Sequence, residues 1–79
     1  MNITINFETQ TSSDGKYRLF KLGETRLALK KRTKLFNGQK LYIYMGLLEY
    51  DPESGEYKGM TKHGEMRGRL KGLDLEITA

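Results

Sequence analysis

The chain contains no cysteine, so it can build neither a disulfide framework nor a thiolate metal site. That absence suits a reducing compartment and makes the cytoplasm the expected location. Histidine occurs once, at His63, and a lone imidazole leaves a transition-metal site short of ligands. Asp51, Glu53 and Glu56 lack the spacing of a full calcium loop and read as a polar turn. No apolar run approaches the ~18 residues of a membrane span. The opening Met1-Asn2-Ile3-Thr4-Ile5 has neither the basic region nor the long apolar stretch of a signal peptide. Catalytic patterns are missing as well. Ser12, Ser13 and Ser54 have no Gly-x-Ser-x-Gly setting and no Asp–His pair beside them. No glycine-rich phosphate loop leads into a helix, and no segment joins apolar helical spacing to helix caps. The expectation is a non-catalytic protein without metal or cofactor.

What remains is short, polar and basic. Seventy-nine residues make one domain, near the lower limit for folding without disulfides or metals. So small a core favours burial against a partner or a second copy, which keeps a homodimer in view. Charged residues are 30% of the chain and apolar ones 37%, the balance of a folded but very polar domain. Fourteen Lys and Arg against ten Asp and Glu give a net charge of +4. That sign favours an acidic partner, nucleic acid or an acidic protein surface, and speaks against a DNA mimic.

The most informative stretch is 25–50, two strand-like runs joined by Phe36-Asn37-Gly38. Asn-Gly between apolar runs is a strong hairpin signal, because both residues tolerate positive φ. Leu27 and Leu29 share the odd-numbered face before the turn; Leu41, Ile43, Met45 and Leu47 share it afterwards. A two-residue loop would throw these sets onto opposite faces. A three-residue loop, Phe36 to Gly38, keeps them together and makes Gly38 the left-handed residue of a bulge. This register sets Leu27 beside Leu47, Leu29 beside Met45 and Thr33 beside Leu41. The other face then carries Lys30 beside Tyr44 and Arg32 beside Tyr42, with Lys34 and Lys40 near the tip. One tension is built in: Lys31 points to the core side, where it must snorkel or lie near an edge.

Strands are expected on either side. Ile3, Ile5 and Phe7 alternate with polar residues as a first strand, and Ser13-Asp14-Gly15 marks a turn. A second strand, Tyr17 to Leu22, has Tyr17 and Leu19 on one side and Phe20 and Leu22 on the other. After the hairpin, a four-residue loop from Pro52 to Gly55 pairs Tyr50 with Tyr57, Glu49 with Lys58 and Leu47 with Met60. The following strand would turn Met60, Gly64, Met66, Gly68 and Leu70 inward, leaving Thr61, His63, Glu65, Arg67 and Arg69 outside. His63-Gly64 serves equally well as a tight turn dividing that segment. Leu73, Leu75 and Ile77 alternate as a last strand. Glu24–Lys34 could be written as a helix, but the hairpin accounts for it better. The fold class is all-β: a curved antiparallel meander of five or six strands closing toward a small barrel.

Function rests on the basic and aromatic face of the hairpin. Single-stranded nucleic acid needs cations for phosphates and flat rings for unstacked bases. Lys30, Arg32, Lys34 and Lys40 would supply the first and Tyr42 and Tyr44 the second, with Arg67 and Arg69 extending the surface. The same residues could instead be an ordinary solvated strand face with cross-strand cation–π support. The expected function is non-catalytic binding of single-stranded DNA or RNA. The alternative is a small inhibitor or adaptor of the phage or mobile-element type, binding a protein through an open sheet edge. The opening Met1-Asn2-Ile3-Thr4-Ile5-Asn6-Phe7, the length and the all-β pattern resemble the small single-stranded-DNA-binding proteins of filamentous phages. That resemblance implies a β-barrel with aromatic and basic residues along a groove. It spans the first seven residues; turn placement departs from it afterwards, so no functional residue is carried over.

Overall fold

Short alternating runs separated by Gly, Asp and Asn become strands at every place where the alternation is visible. The computed structural model describes residues 2–34, 37–62 and 64–79, with only the backbone at Lys34 and Lys40. Eight strands form: β1 (Asn2–Asn6), β2 (Thr11–Ser12), β3 (Tyr17–Lys21), β4 (Arg26–Lys34), β5 (Lys40–Asp51), β6 (Glu56–Thr61), β7 (Gly64–Lys71) and β8 (Asp74–Thr78). Each pairs antiparallel with the next, and β1 with β8 closes the barrel. The all-β class and the closing meander are as expected. The count is eight rather than five or six, for two reasons. Strand β2 has only two residues, too few for alternation to register, yet it links β1 to β3. The segment after the Pro52 turn divides, with Thr61 paired to Gly64 across the β6–β7 connection. His63, expected on the outer face of that segment, lies outside the described residues. No helix among the described residues is long and apolar enough to cross a membrane.

The barrel interior is aliphatic. Ile5, Leu19, Leu29, Leu48, Leu75 and Ile77 are almost wholly buried, each contributing ~1.5–3 kcal/mol of hydrophobic stabilisation. Ser12 is the buried polar exception. Its hydroxyl donates to Asp14 Oδ1 at 2.6 Å and accepts the Tyr17 N–H at 3.0 Å, so that hydroxyl is satisfied. That hydroxyl, with the Lys16 N–H, holds the Asp14 carboxyl below its ordinary value. At the β5–β6 turn the Lys58 ammonium, with the Glu53 N–H, does the same for Asp51.

The central hairpin has the expected register only in its outer half. Gly38 has φ of 86°, and Lys34 pairs with Lys40, Arg32 with Tyr42 and Lys30 with Tyr44. Phe36, the expected first loop residue, is outside the described residues. Between Leu29 and Lys30 the register shifts: Leu29 pairs with Gly46 and Leu27 with Leu48, leaving Met45 as an extra residue in β5. The bulge corrects the expected partners of Leu27 and Leu29 and the expected inward face of Met60. Leu27 shares a face with Leu48, whereas Leu47 stands opposite Ala28 on the outside. Met60, aligned with Leu47 as expected, follows it outward and is 62% exposed. Leu70, expected inside, is 44% exposed near the β7–β8 turn. Met66 and Gly68 do face inward. A bulge adds one residue, strengthens the twist and bends the strand. Here it marks the point where β5 leaves the barrel wall.

Beyond that point the hairpin projects. Pairing with β3 stops at Lys31 and pairing with β6 stops at Gly46, so 32–34 and 40–45 find strand partners only within the hairpin. The molecule measures 45 × 26 × 24 Å, and the twelve residues of β5 make ~40 Å of extended chain. This projection resolves the position of Lys31. It has core-side parity but lies past the end of the core, exposed, with Nζ 6.0 Å from the Tyr17 ring centre. Leu41 and Ile43 share that parity and are about half exposed for the same reason.

Candidate nucleic-acid interface

The outer face of the arm is built by cross-strand pairing. Lys30 stands beside Tyr44 and Arg32 beside Tyr42, and Lys34 and Lys40 close the row by their backbones. Strand β3 contributes two side chains absent from the expected set. Arg18 pairs across with Lys30, and Phe20 lies one step further along the same face. Phe20 and Tyr42 meet edge to face, centroids 6.1 Å apart. The Arg18 guanidinium lies 5.2 Å from the Phe20 centroid and 5.8 Å from that of Tyr42, and Lys30 Nζ is 4.4 Å from Phe20. Such contacts contribute ~0.5–2 kcal/mol each. The Arg18 Nε is buried without a hydrogen-bond partner. Tyr44 differs from Tyr42. It is 59% exposed, and no described ring or cation packs on it. Arg32 folds back over the β2–β3 turn, where a Cβ on Gly15 would come within 3.4 Å of its Nη1. Its N–H donates to the Lys16 carbonyl at 2.7 Å and ties the arm's base to the barrel.

Charge is segregated along the molecule. Arg26, Lys30, Lys31, Arg32, Lys34 and Lys40 fall between Thr25 and Leu48, and none of the ten carboxylates does. The rest of the chain has more acids than bases. The ion pairs among the described residues, Arg26–Glu49, Lys58–Asp51, Arg69–Glu56 and Lys71–Glu76, all sit away from the arm. None reaches Lys30, Lys31 or Arg32, whose charges stay uncompensated. Among the described residues no three acidic, histidine or cysteine side chains gather to hold a metal ion.

Arg67 and Arg69 lie elsewhere. Arg67 pairs across with Lys58, which pairs with Glu49. That row crosses β5 five residues from Tyr44, roughly 16 Å along the strand, and Arg67 is two strands further round. Arg69 donates through Nε and Nη2 to Glu56 Oε1, at 3.1 and 2.8 Å. The structure therefore brings together Lys30, Arg32, Tyr42 and Tyr44, adds Arg18 and Phe20, and leaves Arg67 and Arg69 on a different part of the surface. A signal for the missing pair was present: parity along the second strand already put Phe20 opposite Leu19, on the side of Arg18. No protein-family model matches this chain, and searches of curated proteins and of solved structures likewise give no match.

Proposed function

We propose that the protein binds single-stranded nucleic acid along the outer face of the projecting hairpin. The observation that carries this reading is the row of uncompensated cations beside the exposed Tyr44 ring, on an arm that stands clear of the barrel. Arg18, Lys30, Arg32, Lys34 and Lys40 would neutralise phosphates, and Tyr44 would stack on an unstacked base. A two-stranded ribbon also fits a DNA major groove, but a duplex offers no open base to Tyr44. Tyr42 has a different part: its ring is engaged with Phe20 and Arg18, so it supports the platform.

Fluorescence titration with oligothymidylate against salt tests the reading. Three to five phosphate contacts give a slope of about −2 to −4 in log K against log salt. Tyr44→Ala should weaken binding by ~1–3 kcal/mol with slope and melting temperature unchanged. Arg32→Ala should flatten the slope by about 0.7. Tyr42→Ala should lower the melting temperature as well as the affinity. No binding at ~50 mM salt, where phosphate contacts are strongest, would move the reading to the protein-binding inhibitor or adaptor.

A further inference from the structure

Strand β5 is paired on both sides only from Gly46 onward. From Lys40 to Met45 its one neighbour among the described residues is β4, so alternate N–H and C=O groups face sideways with no strand to meet them. Exposed edges are commonly blunted by proline, by short length or by charges aimed inward. This edge has no proline, and Leu41 and Ile43 stand on it about half exposed. Beside it runs a groove of about 650 Å³ formed by Ile43, Tyr44, Met45 and Gly46 on the β5 side and Met60 on the β6 side. Lys31, Arg32 and Lys62 border the groove, and no carboxylate does.

Three occupants can be compared by chemistry. A second copy would bring the same basic arm against this one, and like charges placed opposite each other across a sheet destabilise it. A nucleic-acid strand answers the cations but has no alternating amide and carbonyl to continue the ladder, and phosphates gain nothing from Ile43 or Met60. An extended polypeptide completes the ladder. With acidic and apolar residues alternating, its acidic face lies on the side of Arg32 and its apolar face covers Leu41 and Ile43, which share a face with Lys31. We infer that the free edge of β5, 40–45, accepts an acidic extended segment of another protein as an added strand. This inference does not rest on nucleic-acid binding at the outer face, because what it needs is the free backbone edge, although Arg32 and Tyr44 border both surfaces.

The test uses the full chain and a fluorescein-labelled peptide of alternating valine and glutamate, about six residues and ~20 Å long when extended. Binding should saturate, and amide hydrogen exchange should slow at Leu41–Met45. The same peptide N-methylated at each valine keeps its charge but loses donors on one edge, and should bind about tenfold more weakly or worse. Ile43→Glu, at an exposed position, should weaken the peptide by about tenfold with the melting temperature unchanged, by replacing an apolar contact with a charge of the peptide's own sign. Equal affinity of the methylated peptide would overturn the inference, since charge alone would then explain binding. So would absence of saturation, protection of the same amides on raising the protein concentration alone, or protection by oligothymidylate but not by the peptide. Because the added carboxylate also repels oligothymidylate, the methylated peptide, which changes no charge, is what separates this edge from the outer face.

Discussion

Gly59 has no room for a side chain. A Cβ at this position would run into the carbonyl oxygen of Leu47 on the neighbouring strand, a backbone atom that cannot swing aside. Gly46, next to the bulge, is nearly as tight, with Met60 O at 2.5 Å and Met66 Cε at 2.7 Å from a would-be Cβ. Gly23, in the β3–β4 turn, has nothing within 4 Å and no positive φ. One substitution made at two glycines should therefore give opposite results. Gly59→Ala should cost about 3 kcal/mol, as overpacking does, and lower the melting temperature by roughly 12–24 °C. Gly23→Ala should stay within about 0.5 kcal/mol of the parent. Thermal unfolding followed by circular dichroism measures both, and a tolerant Gly59 would mean that β5 and β6 can separate locally without loss of the core.

At the scale of the element, the β4–β5 hairpin is half barrel wall and half arm. The arm half was legible in the sequence. Asn37-Gly38 and the parity of Thr33 and Leu41 were enough to set Arg32 beside Tyr42 and Lys30 beside Tyr44. The wall half was not, because the extra residue at Met45 answers to the closing of the barrel, a demand no neighbouring side chain announces. From that single shift followed the misplaced faces of Leu47 and Met60, although the pairing of Leu47 with Met60 itself was readable from the Pro52 turn. Lys31 recorded the difficulty: a cation on a core face made sense only once the strand was seen to outrun the core. The division can be tested directly. Replacing 33–41 by Asn-Gly joins Arg32 to Tyr42 and removes Lys34 and Lys40, while every residue of the aliphatic interior remains. The shortened protein should keep its β-sheet spectrum and cooperative melting. Its salt dependence for oligothymidylate should fall by about 1.4 in slope, two counterions' worth. Loss of folding would show that the arm's tip is needed to pair β4 with β5 at all.

At the scale of the whole molecule, shape and charge coincide. The radius of gyration is 12.5 Å, above the ~11.6 Å expected of a compact chain this long, and one extent, 45 Å, exceeds the other two. The hairpin stretch between Thr25 and Leu48 carries six cations and no carboxylate, and the ion pairs Arg26–Glu49, Lys58–Asp51, Arg69–Glu56 and Lys71–Glu76 lie outside the arm. A polyanion is thus drawn to the arm first, with a rate that falls as salt is added.

The closure of β1 on β8 has a further consequence. Asn2 pairs with Thr78, and every other pairing joins strands adjacent in sequence. The strands form a ring in which no member is topologically first, and the break between residues 79 and 1 is one gap among several. Circular permutation should then be tolerated. A short glycine-rich linker from Ala79 to Met1, with new ends opened at Ser54 in the exposed Asp51–Glu56 turn, preserves all eight pairings. It converts the distant β1–β8 contact into a local one and makes β5–β6 the closure that must span the chain. Because loop closure costs only ~0.6 kcal/mol more for each doubling of length, such a permutant should melt within a few degrees of the parent. Its folding transition state should move: substitutions at Ile3 and Ile77 that slow folding in the permutant would act chiefly on unfolding in the parent, where those strands meet last. Stopped-flow folding of the two connectivities makes that comparison.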